Sequence, residues 1–492
     1  MKEHKNRIGM AEQSLKDKTA KGLLWGGLSN GVQQLLNLFF GIFLARLLTP
    51  ADYGMVGMLS IFSLIAASIQ ESGFTAALIN KKDIKHEDYN AVFWFSTLAS
   101  LCIYTLLFFC APLIAKFFHQ PELTALARYS FIGFVIASLG TAHSAYMFKN
   151  FLVKQRALSG IIGIFVAGCI GLILAYNGYS YWGIATQSIA YTTTVMICFW
   201  FFTPWHPTFS LNFTPLKDMI TFSSKMLATN IFNHLNNNIF SIILGKFYSE
   251  KEVGYYNQAN KWNAMGYSIV NSMIYSVAQP VLAQVADDKE RQLRIFRKML
   301  RFTAFISFPA MFGLSLIAPE LITIAITDKW IMSARILQLL CISGAFIPIT
   351  ALCSNLIISK GKSNVYMWNT IILGLLQLLT MSLIHSYGIQ TMIITYVCIS
   401  IGWITIWRYF VGKEIDFKIT HLLIDIFPSL FIAFSVMVIT HILTLPIESI
   451  YLLFICKILF AGSLYILIMK LSGNKTFKES LQFLAKKLHK HL

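Results

Sequence analysis

FGIFLARLLTPADYG, residues 40–54, closes one apolar segment and opens the next. Residues 240–254 read FSIILGKFYSEKEVG. Phe40, Ile42, Leu44 and Gly54 return as Phe240, Ile242, Leu244 and Gly254, while Arg46, Thr49 and Asp52 return as Lys246, Ser249 and Glu252. Apolar identities carry little information in a greasy chain, so the charged, hydroxyl and glycine matches hold most of the weight. The same offset of 200 extends upstream, where Asn30, Gln33, Asn37 and Gly41 correspond to Asn230, Asn233, Asn237 and Ser241. In both copies the spacings are 3, 4 and 4, which is one face of a helix. A helix pair written twice, each copy opening on a polar stripe, predicts a protein of two repeated halves.

The surrounding composition says where those helices lie. Of 492 residues, 56% are hydrophobic and 13% charged, whereas a soluble chain carries about a quarter charged. Mean hydropathy is +0.62. Apolar runs of about 20 residues recur, the length that crosses a bilayer core of about 30 Å. They predict an all-α polytopic membrane protein with fourteen transmembrane spans, near 20–46, 54–79, 89–112, 124–148, 157–176, 181–202, 218–246, 253–283, 301–318, 334–358, 365–386, 389–411, 420–444 and 449–470. The short alternating segments of a membrane barrel are absent from the sequence. Six spans separate the two copies, so both enter the membrane from the same side. Parallel repeats of that kind build two helical bundles with a substrate path between them. The domain reading is therefore a cytoplasmic tail at 1–19, an N-terminal six-helix bundle at 20–202, a linker at 203–217, a C-terminal six-helix bundle at 218–411, two additional transmembrane helices at 412–470 and an amphipathic tail at 471–492. The longest outer loop is expected at 319–333, and the connection 287–301, DDKERQLRIFRKMLR, as a basic helix leading into span nine.

Net charge is +18, which in a soluble protein would suggest nucleic acid. Here the distribution gives a different reason. With these spans, 31 of the 40 Lys and Arg fall on one side, seven on the other and two, Lys261 and Lys457, within spans. That is the positive-inside bias. It places both termini in the cytoplasm and removes the argument for nucleic acid. All eight cysteines fall inside spans and none forms a CxxC pair, so they read as small hydrophobes rather than as disulfides or zinc ligands. The basic start runs into a span too long for a signal peptide and reads as a retained tail, with Met10 as an alternative start. At the other end Phe477, Leu481, Leu484 and Leu488 recur at helical spacing, predicting a helix lying on the inner leaflet.

Polar groups at membrane depth must face a partner or water. Asn257, Lys261, Ser268, Asn271 or Ser272, Tyr275 and Gln279 fall close to one face of span eight. Interhelical hydrogen bonding and a hydrated cavity both account for such a stripe, and the number of amides on two repeated helices favours the cavity. Its cationic candidates are Lys261, which either faces the cavity or snorkels outward, with Arg46, Lys246, Lys225 and Arg128 near helix ends. A cationic, amide-rich cavity suits an anionic, hydroxylated cargo, since diphosphate oxygens accept from Lys and Arg. Glu71 is either an ion-coupling group or one half of a structural pair. Asp425 is expected at the interface, and His143 and His234 as core histidines. The sequence carries no GxSxG, no P-loop and no metal-spaced cluster, so no catalytic residue, metal or cofactor is expected.

Taken in order, SLKDKTAKGLLWGGLSN, LARLLTPADYGMVGM, SGFTAALINKKD, AVFWFS and LGKFYSEKEVGYYNQANKW resemble the bacterial polysaccharide flippase family of the Wzx type, especially its colanic-acid-transporter-like branch. The match runs from about residue 14 to about residue 300 and continues more weakly through FPAMFGL and LLCISGAF. The resemblance implies the fold of the multidrug/oligosaccharidyl-lipid/polysaccharide exporters, two six-helix bundles plus two C-terminal helices. It implies a cargo, undecaprenyl-diphosphate-linked oligosaccharide, moved from inner to outer leaflet of the bacterial inner membrane by alternating access for surface polysaccharide or lipopolysaccharide assembly. A polysaccharide polymerase and chain-length machinery would be its partners beside membrane lipids. Glu71 and Lys261 match positions where that family often has an acid and a base, while the aspartate common near Asn237 or Asn238 is missing, leaving the coupling ion open. A lipid II or multidrug transporter of the same fold is the alternative, and a membrane glycosyltransferase or polymerase a more distant one.

Overall fold

The computed structural model describes residues 25, 28–71, 78, 81, 84–473, 477–479 and 482, with backbone alone at 70–71, 218–226 and 228–229. Helices are the only regular structure among the described residues. The chain divides into two compact units, Met1–Gly254 and Tyr255–Leu492.

In the N-terminal unit, α1 runs Leu28–Leu47 and α2 Pro50–Glu71. Then come α3 (His86–Phe118), α4 (Leu123–Ser130), α5 (Ile132–Ser138), α6 (Thr141–Lys149), α7 (Val153–Tyr176), α8 (Tyr181–Phe202) and α9 (Lys217–Phe247). Helix α10 (Glu250–Gln284) continues into the C-terminal unit, which holds α11 (Lys289–Ile326), α12 (Ile331–Gly344), α13 (Ile347–Ser359), α14 (Ser363–Ile384), α15 (Ile389–Gly402), α16 (Ile404–Ile415), α17 (Ile419–Thr444) and α18 (Ile450–Leu471). Eleven stretches are long and apolar enough to cross a membrane, and α4–α6 make a twelfth if the pair bent by 40° is one span. Helices α9 and α10, at 31 and 35 residues, have the length of spans but are too polar to be counted on hydropathy.

The repeated motif is a pair of helix starts. Thr49 caps α2: its backbone N–H and hydroxyl both donate to Asp52 Oδ2, at 2.8 and 2.7 Å, and its Oγ1 accepts from the Asp52 N–H. This reciprocal cap satisfies donors that a helix start otherwise leaves open. Asp52 also accepts from the Ser180 hydroxyl. The two repeated glycines then meet each other's helix. A Cβ on Gly54 would collide with the Glu250 carbonyl, and one on Gly254 with the Pro50 carbonyl. The contact is reciprocal at the 200-residue offset, and only glycine lets backbones approach this closely.

Around it, the unit packs by small residues opposite large ones. Gly168 of α7 lies against the Phe40 ring, and Leu44, Leu48 and Ala175 form a buried cluster. A second core gathers Tyr89, Val92, Phe93, Ala142 and Trp205. His143 is fully buried there, its ring stacked on Trp200 with centroids 4.7 Å apart, so it is a core residue as expected. The linker after α8 is fastened to α3: Asn90 Nδ2 donates to the Ser210 carbonyl at 2.8 Å, Asn90 Oδ1 accepts from the Thr208 N–H at 2.9 Å, and Trp94 Nε1 donates to the Thr208 carbonyl at 2.8 Å.

Prolines inside helices cost a backbone hydrogen bond four residues back, and in hydrocarbon the freed carbonyl needs another donor. Three are supplied. Pro112 frees the Phe108 carbonyl, which accepts from Arg128 Nε at 3.2 Å. Pro309 frees that of Phe305, which accepts from the Tyr465 hydroxyl at 2.9 Å. Pro319 frees that of Ser315, which accepts from Gln338 Nε2 at 3.3 Å. The last of these corrects a sequence expectation. Residues 319–333 are not a loop: α11 continues through Pro319 to Ile326, and Glu320 is buried within it, its Oε1 2.7 Å from Lys457 Nζ of α18. The basic helix expected at 287–301 begins at Lys289 and is the start of this same 38-residue helix, with Asp288 as its N-cap accepting from the Arg291 N–H at 2.9 Å.

Candidate transport site

Helix α10 shows most clearly where the polar stripes go. Its buried side holds Val270, Ile274, Ala278 and Leu282. Gly266 packs on Leu314 and Met311 of α11, and the Tyr255 carbonyl accepts from Ser333 of α12 at 2.9 Å. The opposite side is exposed and carries Lys261, Ser268, Ser272, Tyr275 and Gln279. The spacings 7, 4, 3 and 4 hold these five on one stripe. The serines bond back to their own helix, Ser268 to the Met265 carbonyl and Ser272 to the Ile269 carbonyl at 3.0 and 2.9 Å. A stripe of lysine, glutamine and hydroxyls facing lipid would be costly; beside it the exposed surface of α10 carries Ile269, Met273 and Val277. Asn257, which the sequence also placed on it, is half-buried, as is Asn271.

The corresponding stripes of α1 and α9 are split between two jobs. On α1, Asn30 and Asn37 are exposed, whereas Gln33 turns toward α7, packing on Gly160 and donating to Ser29 Oγ at 2.8 Å. Gln34, one residue on, is the exposed amide between the asparagines. A strict offset of 200 pairs it with His234, so the repeat does not reveal it. On α9, Asn237 is exposed, Asn230 and Asn233 are half-buried, and Asn238 donates to the His234 carbonyl at 2.9 Å while accepting from Ser60 of α2 at 3.4 Å.

The cations divide in the same way. Lys261 and Arg46 are exposed. Lys246 donates to the Phe117 carbonyl at 2.9 Å and lies over the Phe117 ring, 4.7 Å from its centroid, where a cation meets the negative end of α3. Arg128 holds the carbonyl freed by Pro112 and sits 4.3 Å from the centre of the Phe108 ring. Both have structural employment. The side chains of Lys225 and Glu71 lie outside the described residues. Asp425, expected at the interface, is instead buried and clamped by Arg297, whose Nε and Nη2 donate to its two oxygens at 2.7 and 3.0 Å. The clamp spans 128 residues and joins α11 to α17, which no local spacing reveals. Among the described residues no group of three His, Cys, Asp or Glu is placed to hold a metal.

Solved structures share this helical architecture. The lipid II flippase MurJ in an inward closed conformation superposes with a TM-score of 0.72 at 17% identity, covering 91% of this chain and 98% of MurJ. An inward-facing multidrug resistance MATE transporter of the MOP superfamily gives 0.62 at 17% identity, covering 78% and 94%. The sequence profile described as polysaccharide biosynthesis protein matches residues 43–335, more than half of the chain, and the chain belongs to that family. Its relatives include an uncharacterized membrane protein in the cps region of Klebsiella pneumoniae, 27% identical over 480 residues, with 95% of this chain and 97% of the relative covered. The teichuronic acid biosynthesis protein TuaB of Bacillus subtilis is 24% identical, covering 83% and 85%, and the lipopolysaccharide biosynthesis protein WzxC of Escherichia coli K12 is 21% identical, covering 72% of each. By family the chain is a polysaccharide biosynthesis protein, and by fold a multi-pass helical membrane protein of the architecture shared by MurJ and the MATE transporter.

Proposed function

We propose that the chain flips lipid-linked oligosaccharide repeat units across the bacterial inner membrane, taking undecaprenyl-diphosphate-linked glycan from the cytoplasmic to the outer leaflet by alternating access. The exposed stripe of α10 carries this reading: a lysine among hydroxyls and an amide, on a helix too polar to face lipid. Lys261 and Arg46 are each a candidate cation for the diphosphate, able to offer it charge-assisted hydrogen bonds. Asn30, Asn37 and Asn237 offer donors and acceptors to sugar hydroxyls. Likeness to proteins named for teichuronic acid and lipopolysaccharide biosynthesis supports a glycan cargo. The finer architecture of this reading is fourteen crossings, two bundles of six and two further helices, with α9 and α10 as the polar pair and both termini in the cytoplasm. Glu71 is the candidate coupling group, and Lys225, near the inner end of span seven in the sequence, a candidate cation for the cargo. Lys246 and Arg128, already bound to carbonyls, serve structure first.

Reconstitution tests the reading. In proteoliposomes loaded with a defined undecaprenyl-diphosphate-linked glycan, Lys261→Ala should slow outward movement at least about tenfold, the effect of about 1.4 kcal/mol. Glu71→Gln should abolish the response to an imposed proton or sodium gradient. If Lys261→Ala combined with Arg46→Ala flips the lipid at the wild-type rate, the cation assignment falls. If the wild type does not move the lipid at all, the function falls with it.

A further inference from the structure

We infer that the linker after α8 is held by a proton-sensitive strap: Trp205 is fastened to His86 of α3 only while that histidine is neutral, and protonating it slackens the base of α9. The inference goes beyond the flippase reading and does not depend on the cargo.

The polarity of the strap follows from its donors. Trp205 Nε1 lies 3.0 Å from His86 Nδ1. An indole N–H can only donate, so Nδ1 is the ring's lone pair. The proton of the neutral imidazole then sits on Nε2, 3.1 Å from Thr208 Oγ1, which accepts it. Both nitrogens of one imidazole are thus spent on residues of the linker, in a single tautomer. A second proton turns Nδ1 into a donor that faces another donor. The bond to Thr208 survives this change and the bond to Trp205 does not. Histidine is the side chain whose charge ordinarily changes between pH 5 and 8.

The other fastenings do not titrate in that range. Asn90 holds Thr208 and Ser210, and Trp94 holds Thr208, through amide and indole bonds. The charged neighbours are engaged elsewhere or open to solvent. Asp88 is tied to Lys81 at 2.8 Å and accepts from the Lys85 N–H at 2.9 Å, and Lys149 of α6 donates to the Lys81 carbonyl at 2.6 Å. Lys85, Glu87, His206 and Lys217 are exposed. Tyr89 and Tyr146 present rings to one another. His143 meets the Trp205 ring with centroids 5.0 Å apart, but it is fully buried and the indole N–H goes to His86.

Trp205 is where the linker enters a core. It is buried in one cluster with Tyr89, Val92, Phe93, Ala142 and Leu216, and Leu216 is the residue before α9, which starts at Lys217. A buried N–H without an acceptor is disfavoured, so a charged His86 drives the indole from the cluster toward water. The cluster that seats Leu216 then lacks its largest ring, and the base of the helix carrying Asn230, Asn233 and Asn237 is freed. A fastening that served stability alone could use asparagine, which accepts from the same donor at every pH.

The test needs no cargo. Full-length protein in lipid nanodiscs is compared with its own Trp205→Phe variant, and the difference in emission isolates Trp205 among the ten tryptophans. From about pH 8 to about pH 5 this emission should shift to the red, as a ring entering water does. His86→Asn, uncharged and with an amide oxygen near the place of Nδ1, should keep the pH 8 spectrum throughout. His86→Lys, charged and without an acceptor, should show the red-shifted spectrum already at pH 8. The inference is overturned if the wild type does not shift, if His86→Asn shifts as the wild type does, or if a folded His86→Lys protein matches the wild type at pH 8. Should His86→Lys fail to fold, wild type against His86→Asn decides alone. None of these outcomes touches the flippase reading, which is tested with cargo.

Discussion

Gly54 and Gly254 give the reason one chain writes the same helix start twice. Each lies against the carbonyl of the residue that opens the other's helix, Glu250 for Gly54 and Pro50 for Gly254. The clasp is reinforced where Gln120 Nε2 donates to Glu250 Oε2 at 2.7 Å and where Lys246 holds the end of α3. Gly54→Ala and Gly254→Ala should each lower the thermal melting temperature of the purified protein, at an overpacking cost of about 1–3 kcal/mol. Gly402→Ala, where a Cβ meets open space, is the control and should melt as wild type. A Gly54→Ala protein as stable as the control would show that the helices part easily and that the clasp is not tight. The glycines were legible in the sequence because both copies keep them. Their partners were not, because Pro50 and Glu250 share no side-chain chemistry; a contact with backbone oxygen places no demand on residue type.

Among helices, what the sequence hid most was repair. Pro319 reads as the end of a span, and only Gln338, 19 residues later and on another helix, makes it an interior residue. The hydropathy pattern therefore found the span and misjudged its end, sending Glu320 to a loop when it is buried against Lys457. Helices α9 and α10 show the reverse. Their amides and lysine lower the mean hydropathy below what a crossing helix usually has, and the repeat, not the hydropathy, marks them as counterparts of α1 and α2. The repair can be measured at Pro309, where Tyr465 of α18 covers the Phe305 carbonyl. Tyr465→Phe should cost about 1–3 kcal/mol by leaving that carbonyl unpaired. In a Pro309→Ala background the backbone N–H returns and covers the same oxygen, so Tyr465→Phe should then cost little. Equal costs in the two backgrounds would mean that the hydroxyl serves something other than the proline.

For the whole molecule the governing pattern is charge. Of 40 Lys and Arg, 31 fall on one side in the fourteen-span reading, in alternate connections and the span ends beside them, and such a bias fixes orientation because basic residues resist translocation. The described helices pass that count only if α9 and α10 both cross, since hydropathy alone admits eleven or twelve. Their polarity is also the basis of the site, so topology and transport stand together: a helix with Lys261 at membrane depth must border water, and one that never enters the membrane needs no such path. Impermeant thiol reagents decide it once the native cysteines are replaced. In intact cells Asn177→Cys, between α7 and α8, and Lys251→Cys, at the start of α10, should be labelled. Ser210→Cys, ahead of α9, and Asp287→Cys, past the end of α10, should react only after the cells are opened. Labelling of Ser210→Cys, Lys251→Cys and Asp287→Cys from one side would take α9 and α10 out of the membrane, reduce the crossings by two and leave the stripe of α10 with ordinary solvent to face.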